Sequence, residues 1–263
     1  MKKLFHAGRV FYGIAIAGLG AQTIYDKDFP YMLIPPVPVM VHKLVLLIYF
    51  TGTILFITGA CIVFQKWIRS AAVLLGFILL VVFCLYYLPY EFLATSTYLQ
   101  LGAWDNAEKE LALSGGAFVI AGCYNAKNEN SFIRFIGNLI PFGTAIFSFT
   151  ILSFGIDHFL YAKDVAEYIP SWISNRIVWA YIAGVGLFGS GIAILLKIKI
   201  QLIPILLGSM IFTWFVILHI PKVIDAAPGG ERVGETTSAL LALAYCGTAF
   251  VIAGMMKNFR SHS

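Results

Sequence analysis

A carboxylate and an imidazole stand side by side where a long uncharged segment ends. Residues 135–156 carry no charged side chain over 22 positions, and Asp157 and His158 follow directly. Such a pair could act in acid–base chemistry or hold a ligand, because a carboxylate can fix the tautomer of a nearby imidazole. The same pair could also mark only the point where a helix leaves a membrane.

Further polar side chains are expected at the same depth in the second half of the chain. His219 and Lys222 stand near the end of a later apolar segment, and we group them with Asp157, His158 and Trp179 as the first candidates for a ligand pocket. The first half offers a weaker set of candidates: Glu91, His42, Tyr87 and Gln22.

Three interpretations of these residues stay open. Anchoring of helix ends at the membrane interface is the leading one. The second is a pocket in which a neutral imidazole hydrogen-bonds a carbonyl group, such as that of a quinone. A metal site is disfavoured, because metal ligands on one helix usually stand roughly three or four residues apart, and Asp157 and His158 are adjacent. We therefore expect no metal and assign no catalytic residue; quinone is the one cofactor considered.

The composition is that of an integral membrane protein. Of 263 residues, 60% are hydrophobic and 12% are charged, and the mean hydropathy is +0.86. The charged fraction is about half of what soluble domains carry. The lipid bilayer is therefore the expected partner. The net charge of +5 indicates membrane topology rather than nucleic-acid binding.

Eight charge-poor segments divide the chain. Six are 20 to 22 residues long, enough for an α-helix to cross a hydrocarbon core of about 30 Å. The first and fourth, Val10–Tyr25 and Leu111–Ala126, are 16 residues long. We expect them to extend past a flanking charge, Arg9 or Glu110, that reaches the interface. The prediction is an all-α polytopic membrane protein with eight transmembrane helices.

Charges are distributed unequally between the two sets of loops. One side holds 11 basic residues and a single acid, Glu129, and the other holds 7 basic residues and 12 acids. Because basic loops stay in the cytoplasm, both termini are predicted to be cytoplasmic, in a bacterial inner membrane. A cleaved signal peptide is the less favoured interpretation of the N-terminus, since Arg9 interrupts its apolar segment.

An internal repeat organises the chain. The string AFVIAG occurs at 117–122 and again at 249–254, an offset of 132 residues. The same offset relates several glycines, tyrosines and prolines, and near the start of each half the offset is 135. We predict two four-helix units, residues 1–126 and 127–263. Since four is an even number, both units enter the membrane from the same side as parallel repeats.

The second half resembles the DoxX family of small bacterial membrane proteins. The stretch SFGIDHFLYAKDVAEYIPSW at 153–172 carries most of the resemblance, followed by the glycine-rich VWAYIAGVGLFGSGIAILL at 178–196. GLGAQTIYDKDFPYMLIPP, at 18–36, is the diverged counterpart in the first half. The resemblance implies a membrane bundle that accompanies oxidoreductases passing electrons to quinone, and it supplies no catalytic residues to transfer.

The expected function is that of an accessory or scaffold subunit. It would carry an outward-facing pocket for a hydrophobic ligand, quinone or lipid, and bind a membrane or extracytoplasmic protein partner. The alternative is a transporter of a small or hydrophobic solute at the interface of the two units, and enzymatic activity ranks third. No acidic residue is expected near the middle of a span, which argues against a proton-coupled carrier.

Overall fold

A computed structural model describes residues 1–29, 45–96, 99–126 and 129–260, with side chains to Met255. Within these ranges the chain is all-helical, without a strand. The candidate His42 lies outside the described residues. The helices are α1 (Lys2–Asp26), α2 (Val45–Phe64), α3 (Ile68–Ala94), α4 (Asp105–Ala121), α5 (Ser131–Leu160), α6 (Ala162–Tyr168), α7 (Arg176–Leu195), α8 (Ile203–Asp225) and α9 (Gly230–Arg260).

Seven helices of the described ranges are long and apolar enough to cross a membrane; α4 and α6 are not among them. The protein is therefore a multi-pass helical membrane protein. Helix α4 occupies the place of the fourth predicted span, but it begins earlier and has 17 residues. It packs against α3, α5 and α9. Because protein surrounds most of this helix, its length need not match the thickness of the lipid.

The two flanking charges expected at the interface are instead buried. Glu110 is 2% exposed, and Arg9 is 5% exposed. The Arg9 guanidinium donates to the carbonyl oxygens of Ile62 and Val63 near the end of α2. The prediction that these side chains reach the interface is wrong. Glu110 is enclosed by the helices that pack around α4, and Arg9 is held inside the protein, where it supplies donors for carbonyl groups in the last turn of α2.

Glycines bring pairs of neighbouring helices into backbone contact. Helix α1 lies against α2 so closely that a Cβ atom on Gly59 would sit 2.5 Å from the Gly13 carbonyl oxygen. Helix α5 lies against α7 in the same way, and a Cβ on Gly191 would sit 2.8 Å from the Ser148 carbonyl oxygen. Such close approach is the main source of helix association in lipid, where the hydrophobic effect contributes little.

A second pair of glycine contacts joins the two halves of the chain. Gly8 on α1 meets Gly247 on α9, and Gly143 on α5 meets Gly115 on α4. Helices α1, α4, α5 and α9 therefore form the centre of the bundle, around fully buried side chains such as Tyr12. The Tyr12 hydroxyl donates to the Leu113 carbonyl oxygen at 2.6 Å across this centre.

Both α3 and α8 contain one π-helical turn followed by a proline. The turns span Phe83–Tyr87 and Phe215–His219. Pro89 and Pro221 lie two residues beyond them, inside helices that continue. A proline in this position would be expected to end its helix, but Pro221 does not end α8, because the wider π-turn accommodates a ring that an α-helix would exclude.

The bundle has two distinguishable ends. The start of α1 lies beside the end of α9, where Phe5 contacts Gly254, and we call this the terminal end. Helix α1 finishes at the opposite, far end, where α4 and α9 begin and where α5 finishes. Gln22 near the end of α1 donates to the Val233 carbonyl oxygen near the start of α9.

Candidate functional site

A cavity of about 760 Å³ opens at the far end of the bundle. Its walls come from helices α5 to α9, and residues between Gln100 and Lys109 border it. Most of the lining is apolar, including Phe154, Leu187 and Trp214. A volume of this size and character is typical of sites for small organic ligands.

Three of the predicted pocket residues line this cavity. Asp157 and His158 lie near the end of α5, and His219 is the last residue of the π-turn in α8. Adjacent side chains on a helix point about 100° apart, so a single face of α5 would turn only one of these two residues inward. Both line the cavity, because α6 and α7 extend its wall beyond one face of α5.

The other two predicted residues lie beside the cavity. The Lys222 ammonium group is 4.2 Å from the centroid of the Tyr168 ring and 3.6 Å from Glu235 Oε1. Trp179 packs edge-on against Trp214, with ring centroids 6.4 Å apart. Both Tyr168 and Trp214 are lining residues, so Lys222 and Trp179 support the wall from behind.

Several polar groups of the wall are already engaged within the protein. The distance between His158 Nδ1 and the Phe154 carbonyl oxygen is 2.7 Å. The Tyr245 hydroxyl donates to the Lys109 carbonyl oxygen at 3.0 Å, and the Tyr161 hydroxyl accepts from the Gly102 amide at 3.2 Å. The Gly102 contact attaches the short 3₁₀ turn Leu101–Trp104 to the rim of the cavity.

Two lining residues carry polar atoms that are buried without a hydrogen bond. Neither carboxylate oxygen of Asp157 has a partner among the described residues, and neither does Nδ1 of His219. Native proteins pair nearly all such atoms, so each exception points to a function or to a bound molecule. These atoms make the cavity a candidate site rather than a packing gap.

A buried carboxyl group that the sequence did not predict lies next to this site. Glu108 on α4 is 8% exposed, and Ser153 Oγ donates to its Oε1 at 2.5 Å. Ser153 lies one helical turn before Asp157, so both lie on one face of α5. The position of Glu108 beside α5 could not be predicted from the sequence, because it depends on the packing of α4 against α5.

Of the weaker candidates in the first half, the three that the structure describes, Gln22, Glu91 and Tyr87, do not line the cavity. Gln22 bonds to α9, where its Oε1 also accepts from Thr237 at 3.2 Å. Glu91 accepts from the Thr95 hydroxyl at 3.1 Å, and Tyr87 is buried. Gln22 and Tyr87 are thus enclosed within the helix bundle rather than placed in the cavity.

The described residues contain no group of three histidine, cysteine or acidic side chains that could hold a metal ion. The four cysteines are unpaired. No protein-family model, no curated protein and no solved structure matches the chain.

Proposed function

We propose that the protein is a DoxX-like accessory or scaffold subunit that holds a hydrophobic ligand, a quinone or a lipid, in the cavity at the far end. The observation that carries the proposal is the pairing of an apolar cavity with the unpartnered carboxylate of Asp157. An apolar wall accepts a hydrocarbon part, and convergent polar groups at one place hold a head group. Membrane redox complexes are the proposed setting, with a membrane or extracytoplasmic protein as partner.

The proposed architecture is a duplicated unit of four helices. Two structural observations support it: the π-turns of α3 and α8 are 132 residues apart, and the contacts of Gly59 and Gly191 repeat at the same offset. Helix α4 corresponds to α9 and serves as the eighth membrane helix, buried inside the bundle. Parallel units of this kind are related by an axis along the membrane normal.

The proposed location is a bacterial inner membrane, with the terminal end in the cytoplasm. The excess of basic residues on the loops of that end supports this orientation. The cavity then faces the outside of the membrane.

The alternative function, transport of a solute along the interface of the two units, is less well supported. Helices α1, α4, α5 and α9 meet there through glycine contacts and fully buried side chains such as Tyr12 and Phe147. The cavity lies to one side, at one end of the bundle. A site with access at one end fits a subunit that binds a ligand better than a pathway between two compartments.

Filling the cavity tests the proposed function. Ala183 is buried on α7 and lines the cavity, so Ala183→Leu places three more carbon atoms in the ligand's space. We expect the amount of quinone or lipid that co-purifies at one-to-one stoichiometry to fall about tenfold, as measured by native mass spectrometry after gentle extraction.

Gly189→Leu is the matched control for this measurement. It lies on the same helix, and a Cβ there meets no atom within 4 Å. It should leave ligand occupancy unchanged. Equal occupancy in the wild type and Ala183→Leu, with both proteins folded, would remove the cavity as the binding site.

A further inference from the structure

The hydrogen bonds of the cavity wall restrict the ligand's head group. A carbonyl oxygen can only accept, so the short distance from His158 Nδ1 to the Phe154 carbonyl places the imidazole proton on Nδ1. In the neutral ring, Nε2 of this lining residue is then an acceptor. Asp157 adds two further acceptor atoms that no described residue engages. The wall around Asp157 and His158 therefore carries acceptor atoms without matching donors.

Two donors of the wall, on Lys109 and Tyr245, are engaged within the protein. Lys109 Nζ donates to Asp105 and, at 3.2 Å, to Asn106. The Tyr245 hydroxyl donates to the Lys109 carbonyl oxygen. Tyr161 is different: its hydroxyl oxygen accepts from Gly102, which leaves its own proton available.

Asp157 and Tyr161 stand one helical turn apart, and both line the cavity. The Tyr161 amide donates to the Asp157 backbone carbonyl at 2.8 Å, which keeps the two residues on one face of the chain. The two residues therefore place an acceptor and a donor on the same part of the wall. A hydroxyl satisfies both, since it donates one hydrogen bond and accepts another.

We propose that the cavity selects an amphipathic molecule whose head group carries a hydroxyl, with Asp157 accepting its hydrogen bond and Tyr161 donating to its oxygen. The proposal rests on the proposed function of the cavity and specifies its ligand. Of the two forms of a quinone, the reduced quinol carries hydroxyl groups, whereas the oxidised form offers only carbonyl acceptors. An acceptor-only head group would leave the Asp157 carboxylate unpaired, which is costly for a buried charge.

A matched pair of probes tests this selection. 4-Nonylphenol and 4-nonylanisole share a tail and a ring, but the methyl ether of the second cannot donate. We expect the phenol to bind the wild-type protein at least about tenfold more tightly than the anisole, because a hydrogen bond to a charged acceptor is worth roughly that much. Asp157→Leu should remove most of this preference, because leucine is similar in size and accepts no hydrogen bond. Asp225→Leu, at an exposed acid outside the cavity, should leave it intact.

Isothermal titration of both probes into detergent-solubilised protein gives the affinities, and size-exclusion chromatography checks folding of the variants. Equal binding of the two probes, or a preference that survives in Asp157→Leu, would overturn the hydroxyl assignment while the cavity remained a binding site. Tighter binding of dodecylamine than of the phenol would also overturn it, in favour of a cationic head group. Failure of every probe to bind the wild type would overturn the proposed function as well.

Discussion

Gly59→Ala is expected to destabilise the protein by about 3 kcal/mol and to lower its unfolding temperature by roughly 6–12 °C. The added methyl group would lie 2.5 Å from the Gly13 carbonyl oxygen and 2.8 Å from the Ala17 Cα atom. These are backbone atoms, so the clash cannot be relieved by turning a side chain, and α1 and α2 must separate. Thermal unfolding in detergent, followed by circular dichroism, measures the change.

Alanine substitutions at two glycines of α7 serve as comparisons for this result. Gly191→Ala should also destabilise, since its Cβ would lie 2.8 Å from backbone atoms of Leu152 and Ser148. Gly189→Ala should be neutral or slightly stabilising, because that position is open and alanine favours a helix. A Gly59→Ala protein as stable as Gly189→Ala would contradict the close packing of α1 on α2.

Arg69→Met is expected to cost about 3 kcal/mol, because it leaves a buried carboxylate without its partner. Arg69 Nε lies 2.9 Å from Glu129 Oε1, and the Glu129 side chain is 2% exposed. Arg69 also donates to the carbonyl oxygen of Tyr124 at 3.2 Å, just beyond the end of α4. The same unfolding measurement applies.

A double-mutant cycle separates the two contributions of Arg69. Glu129→Gln alone should cost about 1 kcal/mol, since an amide still accepts a hydrogen bond. Combined with Arg69→Met it should restore part of the stability, because the unpaired charge is then absent. A double variant no more stable than Arg69→Met would show that the ion pair is not what Arg69 contributes.

The helical membrane class follows from the sequence with little ambiguity. Long uncharged apolar segments are not stable when exposed to water, so they are expected to lie in a membrane. Seven of the eight segments form helices long enough to span one. The fourth segment formed a helix of only 17 residues, which includes the flanking acids Glu108 and Glu110, and both acids lie inside the protein. Sequence shows that a charge adjoins an apolar segment, but it does not show whether lipid or protein surrounds that charge.

The candidate site was visible only in part. Asp157, His158 and His219 were identified because ionisable groups are rare at the ends of apolar helices. Tyr161 and Glu108 were not, since a tyrosine near an interface is common and Glu108 reaches α5 only through the packing of the two halves. The π-turn that carries His219 could have been anticipated from Pro221, which an uninterrupted α-helix would not accommodate.

In the proposed arrangement, the two four-helix units enter the membrane in the same direction, and the cavity faces outward. Cysteine labelling at four exposed sites tests it: Lys27 and Asp225 at the far end, and Lys66 and Lys199 at the terminal end. Each is replaced by cysteine in a protein whose own four cysteines are changed to alanine. A membrane-impermeant maleimide applied to intact cells should label Lys27→Cys and Asp225→Cys, and should reach Lys66→Cys and Lys199→Cys only after permeabilisation. Labelling of Lys27→Cys and Asp225→Cys from opposite sides would contradict the parallel arrangement, and labelling of the terminal-end pair in intact cells would place the cavity in the cytoplasm.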